Sequence, residues 1–88
     1  MVSVELYSTA ACPYCVAAKN LLKQKGYDYE EIRVDTDPAR REEMLSRSGG
    51  RRSVPQIFVN GIHVGGFDEL VTADRSGKLA EFAASSKG

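Results

Sequence analysis

The sequence contains no tryptophan, one histidine and two cysteines, and neither sign of charge is in excess. Twelve lysines and arginines balance twelve aspartates and glutamates, which excludes the positive excess typical of a dedicated nucleic-acid binder. Two cysteines form at most one disulfide, so the chain is not a disulfide-stapled scaffold. No apolar run approaches the roughly 20 residues of a transmembrane helix. These exclusions leave a small globular domain with few residues that are suited to nucleophilic or metal-binding chemistry.

The size and composition of the chain are those of one domain. Its 88 residues, 42% hydrophobic and 27% charged, suffice for one modest core, and we expect a single, monomeric domain over residues 1–88. Residues 2–7 alternate between apolar and polar side chains and lack the basic start and long apolar run of a signal peptide. The expected compartment is therefore the cytosol, where a close cysteine pair is more often catalytic or metal-binding than structural.

Periodicity and turn residues predict an α/β domain with the element order β-α-β-α-β-β-α. Pro13 and Pro38 each mark the first position of a helix, and Asn60-Gly61 is a strong hairpin signal. The predicted elements are a strand at 2–8, a helix at 13–25, a strand at 27–34, a helix from Asp37-Pro38 to Ser48, strands at 56–59 and 62–64, a segment at 67–73 with a helix beginning near Asp68, and a last helix over about 77–84.

The connections between these elements predict the sheet. A helical crossover joins the first two strands, so they are expected to be parallel, whereas the hairpin adds an antiparallel pair. Helices are expected on both faces of this mixed sheet.

The two cysteines, Cys12 and Cys15, stand where the first strand gives way to the first helix. A helix N-terminus offers unpaired N–H groups and a positive dipole end, which stabilise the thiolate that attacks a disulfide. Cys15 lies one turn further into the helix and is expected to be buried. The pattern predicts redox chemistry in which Cys12 attacks and Cys15 resolves the mixed disulfide.

Three other interpretations of the pair are possible. A zinc site needs four ligands, and the chain offers two cysteines and His63, so such a site requires a dimer that shares four cysteines. A structural disulfide gains little from so short a loop. The strand–turn–helix context argues against two unreactive cysteines.

Three motifs together resemble those of the dithiol glutaredoxins. Cys12–Cys15 reads Cys-Pro-Tyr-Cys, Ser53–Pro55 is similar to their Thr-Val-Pro segment, and Gly65–Asp68 is similar to their Gly-Gly-aromatic-Asp motif. The motifs occur in the family's order and spacing, and the resemblance covers nearly the whole chain. It implies a thioredoxin-like, three-layer α/β/α fold with a four-stranded mixed sheet.

The resemblance also implies a glutathione site, with glutathione as co-substrate and no metal. It implies that the Val54–Pro55 bond is cis and faces the cysteines, which leaves the Val54 backbone free to pair with a bound peptide. The helix start near Asp68 would receive the γ-glutamyl carboxylate and Asp68 the ammonium, although Asp68 can instead be a plain N-cap. The expected glutathione-binding residues are Tyr14, Arg52, Ser53, Val54, Pro55, Gly66, Phe67 and Asp68.

The chain departs from the family where many dithiol members have lysine, three positions before the first cysteine. Thr9 stands there, and Arg51 or Arg52 could supply the missing charge for the glycyl carboxylate. Ser53 keeps the hydroxyl of the commoner threonine. His63 invites a catalytic role, but we expect a surface histidine because the sequence offers it no partner and disulfide exchange needs no dedicated base.

The predicted function is glutathione-dependent reduction of protein–glutathione mixed disulfides and of protein disulfides, with electrons passed on to reductases. The implied partners are glutathione, the proteins that carry these disulfides and, indirectly, glutathione reductase with NADPH; neither nucleic acid nor membrane is expected. One alternative is a redoxin reduced by thioredoxin reductase. Another is an iron–sulfur cluster carrier, which Pro13 disfavours because such relatives usually have glycine or serine there.

Overall fold

The computed structural model describes residues 2–84; Met1 and residues 85–88, which the predicted domain includes, lie outside the described residues. Within this range the chain forms four strands and four helices. They are β1 (Val4–Ser8), α1 (Pro13–Gln24), β2 (Glu30–Arg33), α2 (Pro38–Arg47), β3 (Gln56–Val59), β4 (Ile62–Gly65), α3 (Phe67–Ser76) and α4 (Lys78–Ala84).

The four strands form one mixed sheet in the order β2-β1-β3-β4. Strand β1 pairs parallel to β2, and the hairpin strands β3 and β4 pair antiparallel to each other, as the connections predict. Strand β3 also pairs antiparallel to β1, with Leu6 opposite Ile57. The α/β class and the mixed four-stranded sheet are therefore confirmed.

Two separate hydrophobic clusters fill the two faces of the sheet. Because side chains alternate along a strand, Leu6 and Tyr7 point to opposite faces, as do Ile57 and Phe58. One cluster joins the sheet to α1, α3 and α4 and contains Val4, Leu6, Ala18, Leu22, Ile57, Val59, Leu70, Ala73 and Leu79. The other lies on the side of α2 and contains Tyr7, Ile32, Val34, Met44 and Phe58. This confirms that helices cover both faces.

Helix α2 is tied to the sheet by Arg47. Its guanidinium donates two hydrogen bonds to the Glu5 carboxylate, at 3.1 and 2.9 Å, and one to the Tyr7 hydroxyl at 2.8 Å. The same guanidinium lies 4.1 Å from the centre of the Phe58 ring. The Tyr7 hydroxyl donates in turn to Glu43. The guanidinium thus lies over the apolar cluster on this face and links α2 to the sheet through hydrogen bonds to Glu5 and Tyr7.

The structure corrects two element boundaries and the number of helices. Strand β2 begins at Glu30 rather than Tyr27, because the Tyr27 amide donates to the carbonyl of Leu22 and closes the end of α1. The first strand begins at Val4. The predicted element order ends in one helix after the hairpin, although a helix start is also expected near Asp68; the structure has two helices there, divided by Gly77 in the left-handed conformation at φ = 83°. Within residues 2–84, no helix has the length and apolar character needed to cross a bilayer.

Candidate active site

Cys12 caps the N-terminus of helix α1. The loop after β1 brings Cys12 into an extended conformation, and Pro13 starts the helix at a position where its missing N–H costs no hydrogen bond. The Cys15 amide donates a hydrogen bond to the Sγ of Cys12 across 3.2 Å. Both cysteines are free thiols, and Cys12 is half-buried. The predicted placement of the pair at the strand–helix junction is confirmed.

Cys15 lies beneath the surface, as expected, with only 1% of its area exposed. Burial raises the pKa of the Cys15 thiol to about 12, and its hydrogen bond with Cys12 contributes to the rise. The backbone of Thr9 and the positive charge of Lys19 act in the opposite direction. Lys19 is in turn paired with Glu31 at 3.0 Å. In the reduced protein Cys15 is therefore a neutral thiol at pH 7.

The loop that delivers Cys12 is fastened to the end of β2. The Val34 amide donates to the Ser8 carbonyl at 2.9 Å, and the Ala10 amide donates to the Asp35 carboxylate at 3.1 Å. Two hydrogen bonds from Arg33 hold that carboxylate and, with the Ala10 amide, lower the pKa of Asp35 to about 2. Asp35 is therefore an anion throughout the neutral range, and its bond to the loop persists.

The Val54–Pro55 peptide bond is cis, as the family resemblance implies. Pro55 is buried and directly precedes β3, and the Sγ of Cys12 lies 3.8 Å from the Val54 carbonyl oxygen. The proline segment therefore faces the nucleophile candidate, as expected.

A cleft of about 240 Å³ opens beside this segment. The rings of Tyr14 and Phe67 form part of its wall, with their centres 6.0 Å apart. Its lining consists of Tyr14, Arg51, Ser53, Val54, Pro55, Gly66, Phe67, Asp68 and Glu69. All of these except Arg51 and Glu69 belong to the predicted glutathione-binding set. Two arginines were candidates for the glycyl carboxylate. Arg51 lines the cleft, whereas Arg52 is exposed to solvent and is not among the residues that line it.

The N-terminus of α3 forms the opposite side of the cleft. Gly66 is the N-cap and Asp68 the second helical residue, so the interpretation of Asp68 as an N-cap is wrong. The Glu69 carboxylate accepts the Gly66 amide proton at 2.6 Å and pairs with Arg51 at 3.3 Å. The Gly66 amide is also the main cause of the lowered pKa of Glu69. A Cβ at Gly65 would lie 2.8 Å from this carboxylate, so glycine is required there.

Glu69 has a role at the start of α3 that the sequence motifs do not predict. Its position three residues after an N-cap, in an acidic first turn, is the spacing of a capping box. The sequence carries that signal, but the spacing points to Glu69 only when Gly66, two residues before Asp68, is the N-cap.

His63 is not the surface histidine that we expected. It is half-buried, its ring stacks on Phe58 with centres 4.8 Å apart, and its Nε2 lies 2.7 Å from the Oε1 of Gln56. Burial lowers the pKa of His63. The expectation failed because the partner, Gln56, comes from the neighbouring strand. Within residues 2–84, no group of three or more histidine, cysteine or acidic side chains is placed to hold a metal ion.

Comparison with known proteins identifies the family. The glutaredoxin family model matches residues 4–64. Glutaredoxin 3 of Escherichia coli K12 is 48% identical over 79 residues, which are 90% of this chain and 94% of that protein. The solution structure of glutaredoxin from Brucella melitensis shares 44% identity with a TM-score of 0.80 and covers 94% of this chain and 89% of its own.

A second solved relative extends the comparison to a ligand complex. The crystal structure of a buckwheat glutaredoxin–glutathione complex has a TM-score of 0.81 and 32% identity, over 91% of this chain and 74% of its own. The four-stranded mixed sheet, the helices on both faces and the free cysteine pair at the start of α1 agree with this assignment. The chain belongs to the glutaredoxin family of thiol–disulfide oxidoreductases, as its three motifs predict.

Proposed function

We propose that Cys12 is the nucleophile of a glutathione-dependent oxidoreductase that acts on protein–glutathione mixed disulfides. The observation that carries this proposal is the position of the Cys12 sulfur, which caps α1, accepts the Cys15 amide and lies 3.8 Å from the carbonyl oxygen of Val54, a residue that lines the cleft. A helix N-terminus favours the thiolate over the thiol, and the thiolate is the attacking species. Cys15, buried and neutral, is a poor competitor for the first attack.

The reaction with a glutathionylated protein proceeds in two exchanges. The Cys12 thiolate attacks the glutathionyl sulfur, forms a Cys12–glutathione disulfide and releases the protein as a thiolate, which takes up a proton. The thiolate of a second glutathione then attacks the glutathionyl sulfur, which yields glutathione disulfide and restores the Cys12 thiolate. Glutathione reductase would return that disulfide to glutathione at the expense of NADPH.

Reduction of a protein disulfide would require both cysteines. Cys12 forms a mixed disulfide with one sulfur of the substrate, and Cys15 then attacks the Cys12 sulfur, which releases the reduced substrate and leaves a Cys12–Cys15 disulfide. Two glutathiones reduce this disulfide and leave as glutathione disulfide. The short path between the residues supports this role, because Cys15 lies one helical turn from Cys12.

The chemistry of the cleft lining suits the glutathionyl group. We assign the γ-glutamyl carboxylate to backbone amides at the start of α3 and the ammonium to Asp68, which lines the same end. The Val54 backbone would pair with the peptide in a strand-like manner, beside the wall that Tyr14 and Phe67 form. The glycyl carboxylate is assigned to the Ser53 side of the cleft.

A positive charge at the Ser53 side would compensate for the lysine that Thr9 replaces. Arg51 is the better candidate because it lines the cleft, while the role predicted for Arg52 stays a prediction.

The same proposal includes a single domain over residues 1–88, a monomeric state, the cytosolic compartment and reductases as protein partners. The buckwheat relative supports the glutathione site, since that protein was solved as a glutathione complex.

The roles of the cysteines can be separated with two variants. With a glutathionylated peptide, glutathione, glutathione reductase and NADPH, we expect Cys12→Ser to be inactive and Cys15→Ser to retain turnover. With a protein disulfide as substrate, both variants should be inactive. Turnover by Cys12→Ser would contradict the proposed mechanism. Turnover of the wild type with thioredoxin reductase but not with glutathione would favour the alternative redoxin.

A further inference from the structure

A chain of hydrogen bonds connects His63 to the edge of the cleft. The Nε2 of His63 lies 2.7 Å from the Oε1 of Gln56. The amide nitrogen of Gln56 donates to the carbonyl oxygen of Ser53 at 2.9 Å and to its hydroxyl at 3.2 Å. Gln56 is fully buried, whereas Ser53 is exposed and lines the cleft. A buried amide thus bridges a strand of the hairpin and the cleft wall.

The direction of these hydrogen bonds fixes the protonation of the His63 ring. The Gln56 nitrogen must face Ser53, because a carbonyl oxygen can only accept. The Gln56 oxygen therefore faces His63, and the Nε2 of His63 must carry the proton. In the neutral ring this leaves Nδ1 unprotonated. Burial keeps His63 neutral by lowering its pKa, and the geometry selects one of its two tautomers.

The ring of His63 is itself held in place. It stacks on Phe58 at an interplanar angle of 25°, and the Arg47 guanidinium lies 4.1 Å from the centre of the Phe58 ring. Glu5 fixes that guanidinium with two hydrogen bonds. The donor at Nε2 is therefore attached to the packed face of the sheet, and its position does not depend on the cleft.

The segment that contains Ser53 has no regular secondary structure, and hydrogen bonds within it and to the start of β3 help to hold it. At its start, the Ser48 hydroxyl and the Arg51 backbone are joined by contacts of 3.2 Å. Nearer to the cleft, Gln56 holds the carbonyl and hydroxyl of Ser53. Loss of the hydrogen bonds from Gln56 would free the backbone next to Val54, the residue to which the peptide pairing is assigned.

We propose that His63 and Gln56 are positioning residues that hold the Ser53–Val54 edge of the cleft in the geometry that receives the glutathionyl group. This inference rests on the proposed function and deepens it. His63 takes no part in the exchange of sulfurs and touches none of the reacting atoms. It orients Gln56, and Gln56 orients the binding edge. Its loss should therefore weaken substrate binding more than it slows the chemical step.

Two substitutions of His63 separate the hydrogen bond from the packing. His63→Phe keeps an aromatic ring over Phe58 but removes the donor, and leaves the Oε1 of Gln56 buried without it. His63→Gln removes the ring but can place an amide nitrogen near the position of Nε2. With a glutathionylated peptide as substrate, we expect His63→Phe to raise KM roughly threefold to tenfold with kcat within about twofold, and His63→Gln to remain near wild type.

The KM and kcat values of the two variants decide between support and rejection of the proposal. An unchanged KM in His63→Phe, an equal rise in both variants, or a fall in kcat alone would overturn the proposal. Inactivity of the wild type toward the peptide would instead contradict the proposed function. Nitrogen NMR of the wild-type histidine ring gives a second test that does not depend on folding of the variants: a proton on Nε2 is expected, and a neutral ring protonated on Nδ1 would overturn the assignment.

Discussion

The backbone amide of Cys15 donates a hydrogen bond to the sulfur of Cys12 across 3.2 Å, while the thiol of Cys15 is buried beneath the surface. Cys12 and Cys15, which are one helical turn apart, therefore lie in opposite environments. The Cys12 sulfur accepts a backbone N–H at a helix N-terminus, which favours a negative charge, whereas burial raises the pKa of the Cys15 thiol.

This difference predicts selective alkylation of the reduced, native protein. With excess iodoacetamide at pH 8, we expect modification of Cys12 and not of Cys15, because Cys15 is 1% exposed and its pKa is about 12. Mass spectrometry of proteolytic fragments locates the label. In concentrated guanidinium chloride both cysteines should react. Native Cys12→Ser, the matched control, should remain unlabelled, and labelling of Cys15 at a rate like that of Cys12 would contradict the prediction.

The hydrogen bond from Gly66 to Glu69 predicts a contribution of Glu69 to stability. Glu69→Ala removes the acceptor of the amide of Gly66, the N-cap of α3, and we expect the free energy of unfolding to fall by about 1 kcal/mol. The ion pair with Arg51 adds little, because the two side chains are 40% and 48% exposed to solvent, which screens the charges. Urea titration measures the change.

Glu69→Gln is the control for charge, since its amide oxygen can still accept the Gly66 amide. It should recover most of the stability that Glu69→Ala loses. Equal losses in both variants would show that the negative charge, rather than the hydrogen bond, is what stabilises the start of α3.

The elements that local signals determine could be predicted from the sequence. Pro13 and Pro38 begin helices, and Asn60-Gly61 closes the hairpin, because each acts through its own backbone geometry or that of the next residue. The antiparallel pairing of β1 with β3 depends on contacts about 50 residues apart, for which the sequence carries no local pattern. The start of β2 was placed too early because Tyr27 has a strand-like side chain but uses its amide to end α1.

The same distinction applies to the cleft. Tyr14, Ser53 and Phe67 belong to recognisable motifs and were predicted, and the structure brings them together. Gln56 and His63 lie in the hairpin without a motif of their own. Their contact requires both the register of the hairpin and the stacking of His63 on Phe58. Such pairwise geometry emerges only when the sheet is assembled.

Asn60 forms the hairpin turn and also makes hydrogen bonds to residues that are distant in the sequence. It adopts a left-handed conformation at φ = 51°, and its side chain accepts the Ser3 amide proton and donates to the carbonyls of Phe82 and Ala83. The hairpin turn thus holds residues near both ends of the described chain. Asn60→Ala loses these hydrogen bonds and strains the turn, and we expect it to lower the free energy of unfolding by about 3 kcal/mol.

Asn60→Gly separates the two contributions. Glycine adopts the left-handed conformation without strain but makes no side-chain hydrogen bonds, so its loss should be about 1 kcal/mol smaller than that of alanine. Thermal and urea unfolding of the two variants provide the comparison. Identical stability of both would mean that the turn conformation costs alanine nothing.

The burial of His63 predicts how stability depends on pH near neutrality. The folded-state pKa of His63 is lowered, by burial first and then by the positive charge of Arg51, with Arg47 acting in the same direction and Glu69 opposing them. The unfolded chain therefore binds a proton at His63 more readily than the folded protein does. Its contribution to stability is present above the unfolded pKa of about 6.5 and is lost as the pH falls below that value.

We therefore expect the free energy of unfolding, measured by urea titration, to decrease from pH 7.5 to pH 5.5. The chain has a single histidine, and its carboxylates with lowered pKa values titrate below this window. The part of the slope that depends on His63 is the part that a non-titrating substitution there removes. His63→Gln, which keeps a donor toward Gln56 but does not titrate, should flatten the dependence. A slope that survives in His63→Gln would mean that another group titrates there, and rising stability toward pH 5.5 in the wild type would contradict the direction of the shift.

Because Nε2 carries its proton in both charge states, protonation should destabilise the fold without breaking the contact to Gln56. The pH dependence should accordingly appear in the stability of the protein before it appears in KM.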